Sequence, residues 1–450
     1  MFTTVLIANR GEIALRIART CREIGIRTVV AHSSADKDGA AARFADETVQ
    51  IGPAPARRSY LNAAAVLQAA LNTGAEAIHP GYGFLAEDPD FAEMCEDAGL
   101  VFIGPPAPVL ACLGDKARAL GTVESAGLPT LPWSRGTVGS AAEARSIAAE
   151  IGYPVIIKAV AGGGGLGMGV VRTPHELPRV YTQVHQAATA VFGDGRVYLE
   201  KFVEAARHVE VQVLADRHGH VVHLGARDCS VQRRHQKLIE ESPLPGTWTG
   251  MSERICEAAV RGARAAGYVG AGTFEFLLDE NGVFSFIEAN CRIQVEHPVT
   301  EMVTGLDLVR EQLNVAAGHP LPLSQDEIVI RGAALECRVN AEDPTQGFRP
   351  CPGRVESAAL PGGPFVRVDG YLDRGMNIPA EYDSLLAKII VWAPDREQAI
   401  ARMERALAEV AIDGPGVRTT AAFLQDVLAH PLFRDAKHST ALVESMIGAG

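Results

Sequence analysis

The sequence predicts a multidomain chain of α/β and α+β character, with a parallel sheet at its N-terminal end and strand-rich regions after it. Three observations lead there. Residues 1–33 carry β-α-β spacing, the patterning turns toward strands after Tyr153, and 450 residues exceed one core at about 100–200 residues per domain. TVLIAN reads as a short apolar strand, GEIALRIARTCREIG as a helix with Ile13, Ile17 and Ile24 on one side, and RTVVAHS as a second strand. Strands joined through a helix in this way run parallel. Only Gly11 lies at the first turn, so the dinucleotide word G-x-G-x-x-G is missing. EAIHP at 76–80, the loop GYGF, a helix-like stretch at 87–98 and VFIGP at 101–105 continue the pattern, and the first domain ends near residue 113. His79, Tyr82 and Phe84 in that loop are either structural or site-lining.

A helix begins near Asp115 and Lys116. YPVIIKAV, a glycine run and MGVVRT then form a strand, a loop and a returning strand, unlike a P-loop, which needs G-x-x-x-x-G-K-[ST] running into a helix. From about residue 335 the chain is strand-rich again (ALECRVNAE, RVESAAL, FVRVDGYL), with helical stretches near 395–410 and 417–429, and a third domain is expected there.

The apolar and charged fractions, 47% and 21%, are those of an ordinary globular chain. A net charge of -12 argues against nucleic acid or an anionic membrane as partner, so any anionic substrate must meet local cations. No run of about 18 apolar residues exists. Arg10 and Glu12 interrupt the start where a signal peptide needs an apolar core, and the expected location is the cytoplasm. Eight cysteines without a C-x-x-C pair or zinc-finger spacing read as reduced thiols, mostly core filler.

The segment FEFLLDENGVFSFIEANCRIQVEHP is the most informative. Asn281-Gly282 is a hairpin turn signal, and a two-residue turn there sets Glu275 opposite Glu288. Like charges across a ladder are destabilising, which points to a different register or to something positive between them, best a divalent cation. Glu288, Asn290, Arg292, Gln294 and Glu296 then recur with period two, and an extended chain projects all five from one face. The alternative is a strand with one solvated face. The order of groups favours a site: two carboxylates and an amide for Mg²⁺, an arginine for a small oxyanion, and a carboxylate able to take a proton.

RDCSVQRRHQKLIEESP gathers Arg227, Arg233, Arg234, His235 and Lys237 in an acidic chain, either a solvated face paired with Glu240 and Glu241 or, beside the stripe, an anion-collecting wall. Lys116 reads as a surface lysine by default, whereas Lys158 ends an apolar strand just before the glycine run, where an ammonium meets phosphates cradled by backbone N–H groups. Six glycines within 162–169 exceed what a turn requires and suit a loop that closes over a nucleotide.

Taken together, IANRGEIALRI, HPGYGFLAED, GDK at 114–116, YPVIIKA, GGGGLGMGVV, EKFVEAARHVEVQVLAD, RDCSVQRRHQK, GAGTFEF, IEANCRIQVEHPVTEM, ECRVNAEDP and YDSLLAKI resemble the biotin carboxylase family of ATP-grasp enzymes, over residues 2–445. The resemblance implies an N-terminal Rossmann-like domain over 1–113, an ATP-grasp domain over 114–334 with a glycine-rich lid around 130–205, and a C-terminal domain over 335–446. It implies carboxylation of biotin by bicarbonate and ATP, with Mg²⁺ or Mn²⁺. Lys116, Lys158, Glu200, Lys201, Val203, His208, Gln232 and His235 would hold the nucleotide and Gly164 and Gly165 its phosphates. Glu275, Glu288 and Asn290 would bind the metal; Lys237, Arg292, Gln294 and the backbone at Val295 would bind bicarbonate. Glu296 would be the base, and Arg338 would stabilise the ureido oxyanion of biotin.

Two positions depart from the family pattern, Leu166 for arginine and Ala161 for glycine, and altered lid closure is expected from them. With no A-M-K-M-like biotin word, the chain resembles a stand-alone component of an acyl-CoA carboxylase such as acetyl-CoA carboxylase of fatty acid biosynthesis. A biotin carboxyl carrier protein and carboxyltransferase subunits are then the partners. A homodimer is expected, with Arg16 and Glu23 at its interface. The rival readings are another ATP-grasp ligase and a nucleotide-binding subunit that has lost catalysis.

Overall fold

The computed structural model describes residues 1–162, 167–246 and 248–448. The N-terminal sheet has five parallel strands, β1 (Thr4–Ile7), β2 (Arg27–Ser33), β3 (Glu47–Gly52), β4 (Ala77–His79) and β5 (Val101–Phe102), in the order β3-β2-β1-β4-β5. Helices α1 (Gly11–Glu23), α2 (Ala40–Phe44), α3 (Ala63–Thr73) and α4 (Pro89–Asp97) connect them. β1 is apolar throughout because both of its faces are covered: Val5 and Ile7 enter one core, Leu6 and Ala8 another. Arg16 on α1 turns inward, 8% exposed, onto Glu301 at 2.8 Å and Asp307 at 2.7 Å. Glu23 is exposed.

After α5 (Ala107–Gly114), Asp115 caps α6 (Lys116–Ser125) by accepting from the Arg118 N–H at 2.9 Å. α7 (Ala141–Ile151) leads into a small antiparallel sheet ordered β7-β6-β8, made of β6 (Val155–Ala159), β7 (Met168–Val171) and β8 (Val197–Lys201), with α8 (Leu177–Phe192) against it. β6 and β7 pair as expected on either side of the glycine run. Gly164, Gly165 and Leu166 lie outside the described residues.

The rest is built on one eight-stranded sheet. β9 (Arg207–Ala215), β10 (Val221–Arg233), β11 (Gln236–Ser242), β12 (Gly270–Leu278) and β13 (Phe284–Asn290) continue into β14 (Ala333–Asn340). Helices α9 (Thr249–Ala265), α10 (His297–Thr304) and α11 (Leu308–Ala316) interleave with them. Beyond β14 come two short ribbons, β15 (Glu342–Asp343) with β16 (Arg349–Pro350) and β17 (Ser357–Ala359) with β20 (Ala411–Asp413). β18 (Val366–Gly370) and β19 (Leu385–Ala393) complete the large sheet. Its order is β13-β12-β9-β10-β11-β14-β19-β18, so the C-terminal strands extend the central sheet instead of forming one of their own. Helices α12 (Arg396–Ala408) and α13 (Ala421–Ala429) agree with the expected pair, and α14 (Pro431–Arg434) and α15 (Leu442–Gly448) follow.

All eight cysteines are free, seven of them buried and Cys112 half-buried. Among the described residues no helix is long and apolar enough to cross a membrane.

Candidate active site

The three parts of the chain enclose a cavity of about 1070 Å³. Arg10, Tyr82 and Phe84 reach it from the first, Lys116, Lys158 and Val203 from the middle, and Arg338 and Asn340 from β14. Tyr82 and Phe84 of the GYGF loop are thereby lining residues, while His79 is structural. It is fully buried, its ring nitrogen accepts from the Gly81 N–H at 3.1 Å, and burial, with Arg16 nearby, pushes it down to about 3.

One wall comes from the β12–β13 hairpin. Its turn is not the expected two-residue one. The Asp279 N–H meets the Val283 carbonyl at 2.9 Å, leaving Glu280, Asn281 and Gly282 as a three-residue loop with Gly282 at φ +80°. That loop shifts the register by one residue, and a bulge at Ile287, between the pairs Phe276–Phe286 and Glu275–Glu288, shifts it back. Glu275 therefore faces Glu288 as expected. The two carboxylates answer to separate cations: Lys116 bonds Glu288, while Lys237 at 3.0 Å and His208 at 2.7 Å hold Glu275.

The polar stripe converges without being a strand. β13 ends at Asn290, and residues 291–296 run irregularly into α10. Cys291 and Ile293 are nonetheless buried at 2% and 0%, and Glu288, Asn290, Arg292, Gln294, Val295 and Glu296 all line the cavity. Arg292 is held by Glu87, Nε to Oε2 at 2.8 Å, and its Nη2 donates to Asn290 Oδ1 at 3.2 Å. Its position depends on a residue some 200 places earlier in the chain.

At the cavity floor the Lys237 ammonium donates to Glu210 at 2.5 Å, Glu275 at 3.0 Å, Glu296 at 2.6 Å and Gln294 at 3.2 Å. Burial alone would lower its pKa; the three carboxylates reverse that and raise it well above the usual lysine range. Glu296 is also held by Arg338 Nη2 at 2.8 Å. Burial would raise its carboxyl, but Lys237, Arg338 and Arg227 hold it well below the usual carboxylate range.

Lys158 bonds the fully buried Glu200, which stands behind the lining and not in it. Lys201 Nζ donates to the carbonyls of Gly152 at 2.9 Å and Tyr153 at 3.0 Å and also lines the cavity, as do Val203, His208, Gln232 and His235. The basic cluster divides. Arg234, His235 and Lys237 line the cavity, but Arg227 is fully buried on Glu210, Gln212, Thr273 and Thr300, and Arg233 turns to the Gly347 carbonyl and the Phe348 ring. The anion-collecting wall is thus narrower than the sequence suggests.

Four functional neighbours were not singled out in the sequence: Glu87, Glu210, Glu12 and Lys388. Glu210 carried a readable signal, because in RHVEVQV the polar His208, Glu210 and Gln212 alternate with Val209, Val211 and Val213 in a strand buried on both faces. Lys388, also fully buried, donates to the Val295 carbonyl at 2.9 Å and pairs with Glu12 at 2.9 Å, tying the 291–296 segment to α1.

The donor set fits a hard divalent cation. Glu275 and Glu288 offer carboxylate oxygens across one ladder, Asn290 adds an amide oxygen, and all three open to the same cavity as the phosphate-suited lysines.

Residues 1–110 match the family description "Biotin carboxylase, N-terminal domain", residues 115–324 "Carbamoyl-phosphate synthase L chain, ATP binding domain", and residues 336–445 "Biotin carboxylase C-terminal domain". A biotin carboxylase of a Nostoc species is 51% identical, covering 99% of both chains. Biotin carboxylase 1 of Bacillus subtilis is 50% identical, again covering 99% of both chains. The biotin carboxylase domain dimer of Hydrogenobacter thermophilus 2-oxoglutarate carboxylase, solved with MgADP and bicarbonate, superposes with TM-score 0.96 at 47% identity, covering 99% of this chain and 98% of that one.

Proposed function

We propose a division of labour among the cavity residues on one premise: the chain belongs to the biotin carboxylase family and catalyses the ATP- and bicarbonate-dependent carboxylation of biotin. Lys116, Lys158, Lys201, Val203, His208, Gln232 and His235, with Glu200 behind Lys158, hold ATP; the phosphate role that the resemblance gives Gly164 and Gly165 falls outside the described residues. Glu275, Glu288 and Asn290 hold Mg²⁺, which when bound neutralises charge on the transferring phosphoryl group.

Arg292, Lys237, Gln294 and the Val295 N–H orient bicarbonate. Glu296 takes the bicarbonate proton as its oxygen attacks the γ-phosphate, giving ADP and carboxyphosphate. The product decomposes to CO₂ and phosphate. That phosphate accepts the N1′ proton of biotin, Arg338 stabilises the ureido oxyanion, and the nitrogen attacks CO₂. The observation that carries this reading is that Arg292 and Glu296 open into the same cavity as Glu275 and Glu288.

Several finer readings accompany it. Biotin arrives on a lysine of a carrier protein, and the final acceptor belongs to a carboxyltransferase partner, as in acetyl-CoA carboxylase of fatty acid biosynthesis. The chain works as a homodimer in the cytoplasm, the dimeric state being supported by the Hydrogenobacter domain dimer. Its units are 1–113, 114–334 and 335–446, supported by the family matches at 1–110, 115–324 and 336–445.

The test is bicarbonate-dependent ATP hydrolysis stimulated by free biotin. Another ATP-grasp ligase would need an amine, and a subunit without catalysis would hydrolyse nothing.

A further inference from the structure

Behind Arg338, the large sheet carries two carboxylates that the mechanism above leaves unused. Glu240 on β11 and Glu336 on β14 are direct cross-strand partners, both 0% exposed. Glu240 Oε1 accepts from Arg338 Nε at 2.6 Å, while Glu240 Oε2 and both oxygens of Glu336 have no hydrogen-bond partner. Two ionised carboxylates set side by side in a dry interior repel each other and leave three oxygens bare. One proton removes the repulsion and leaves one buried charge, which Arg338 compensates.

The surroundings do not offer another remedy. On β14 the neighbours are Cys337 and Arg338, on β11 Lys237, on β10 Cys229, on β19 Lys388, and from the 291–296 segment Glu296. Lys388 is engaged by Glu12 and the Val295 carbonyl, and Lys237 by its own three carboxylates. α10, which packs on the same face, brings Val299 and Val303 against Ala334 and Ile390, and a His297 ring kept neutral by burial.

We propose that Glu240 and Glu336 hold one proton between them, resident on Glu336, and that the ionised Glu240 is a positioning residue that anchors the Arg338 guanidinium in reach of biotin. This rests on the role given to Arg338 above. Arg338 now bridges Glu240 and Glu296. When it turns from Glu296 toward an oxyanion, the Nε contact with Glu240 is the hinge that remains. The neutral Glu336 spares Arg338 a third carboxylate charge beside Glu240 and Glu296.

Burial, opposed by Arg338 and reinforced by Glu296, pushes Glu240 up to about 7, and burial raises Glu336 well above the carboxylate range. Glu240 is therefore ionised above that value and neutral below it, and the anchor weakens as pH falls through it. Glu296, held far lower, does not titrate there. Loss of the Glu240 anchor on this proposal adds an acid limb near neutrality to the biotin-dependent rate, over and above the titration of bicarbonate and phosphate themselves, and only that part should depend on Glu240.

The experiment follows biotin-dependent ATP hydrolysis from about pH 6 to 9 at fixed bicarbonate concentration, alongside infrared spectra in the protonated-carboxyl region. Glu240→Gln should remove that part of the acid limb and lower kcat roughly tenfold at alkaline pH, with KM for ATP unmoved. Glu240→Asp should restore the limb with a lower kcat. Glu336→Gln should remove a protonated-carboxyl band that the wild type shows at about pH 8. An acid limb that survives unchanged in Glu240→Gln, or an infrared band that Glu336→Gln leaves in place, overturns the proposal. A wild-type rate in Arg338→Gln would instead remove the Arg338 role on which the positioning part rests, while the infrared result would still report on the proton.

Discussion

Replacing Lys237 by methionine removes the only ammonium among three buried carboxylates: Glu210, Glu275 and Glu296, exposed 0%, 2% and 1%. Removing one partner of a buried ion pair costs about 3–5 kcal/mol; Arg227, His208 and Arg338 still hold Glu210, Glu275 and Glu296, but the cluster loses the one cation that all three share. For a unit of this size that corresponds to a fall of about 6–20 °C in Tm. The pH dependence has a definite sign. In the wild type Glu275 and Glu296 are depressed, so their contribution is present above the ordinary carboxylate pKa and is lost only in strong acid; Lys237 is raised, so its contribution is lost only in strong alkali. Across neutrality the wild-type contribution is therefore flat. In Lys237→Met the carboxylates lose the cation they share, rise and take up protons as pH falls, so the gap in Tm should narrow from about pH 8 to 6. Calorimetric or Trp-fluorescence melting of both proteins measures it. A variant that melts within about 2 °C of wild type at pH 8, or a gap that widens toward acid, refutes the assignment.

Arg292→Gln should raise KM for bicarbonate at least roughly tenfold and leave KM for ATP little changed, since its contacts lie at the Glu87 end of the stripe; steady-state kinetics in each substrate separates the two. Gly81 has φ +65°, and a Cβ there would stand 2.9 Å from the Asn9 amide that holds the Pro80 and Tyr82 carbonyls. Gly81→Ala should therefore cost about 1–3 kcal/mol by denaturant unfolding and disturb the loop that presents Tyr82. Leu166→Arg should alter nucleotide affinity or turnover, and kinetics identical to wild type would dispose of a role for this lid position.

Period-two patterning found the stripe because burial of Ala289, Cys291 and Ile293 outlasts the hydrogen-bonded strand; the alternation then fails, with Gln294 and Glu296 buried and Val295 turned to the cavity. The parallel N-terminal sheet was legible from its strand-helix-strand spacing and from the apolar centres of its strands, Val5–Ile7 and Val29–Ala31. The hairpin register agrees with that of a two-residue turn only because the Ile287 bulge cancels the extra loop residue, a compensation without a local sequence signal. Pairing of β11 with β14 was hidden because 96 residues separate Glu240 from Glu336, and strand identity does not name a distant partner. Glu87, Glu12 and Lys388 were missed for the same reason: each looks locally like an ordinary charged residue, and only the tertiary fold sets it beside Arg292 or Val295. Arg227 and Arg233 show the converse, since their sequence neighbourhood suggested a common face that the strand alternation and the β10–β11 turn divide.

The central claim, that the Glu275–Glu288 end and the Arg292–Glu296 end serve one reaction in one chamber, is tested most directly by oxygen tracing. Turnover with ¹⁸O-labelled bicarbonate, ATP and biotin should deliver one labelled oxygen into each released phosphate, as attack of bicarbonate on the γ-phosphate requires. Released phosphate carrying only solvent oxygen would mean that water is the nucleophile, and would contradict the account.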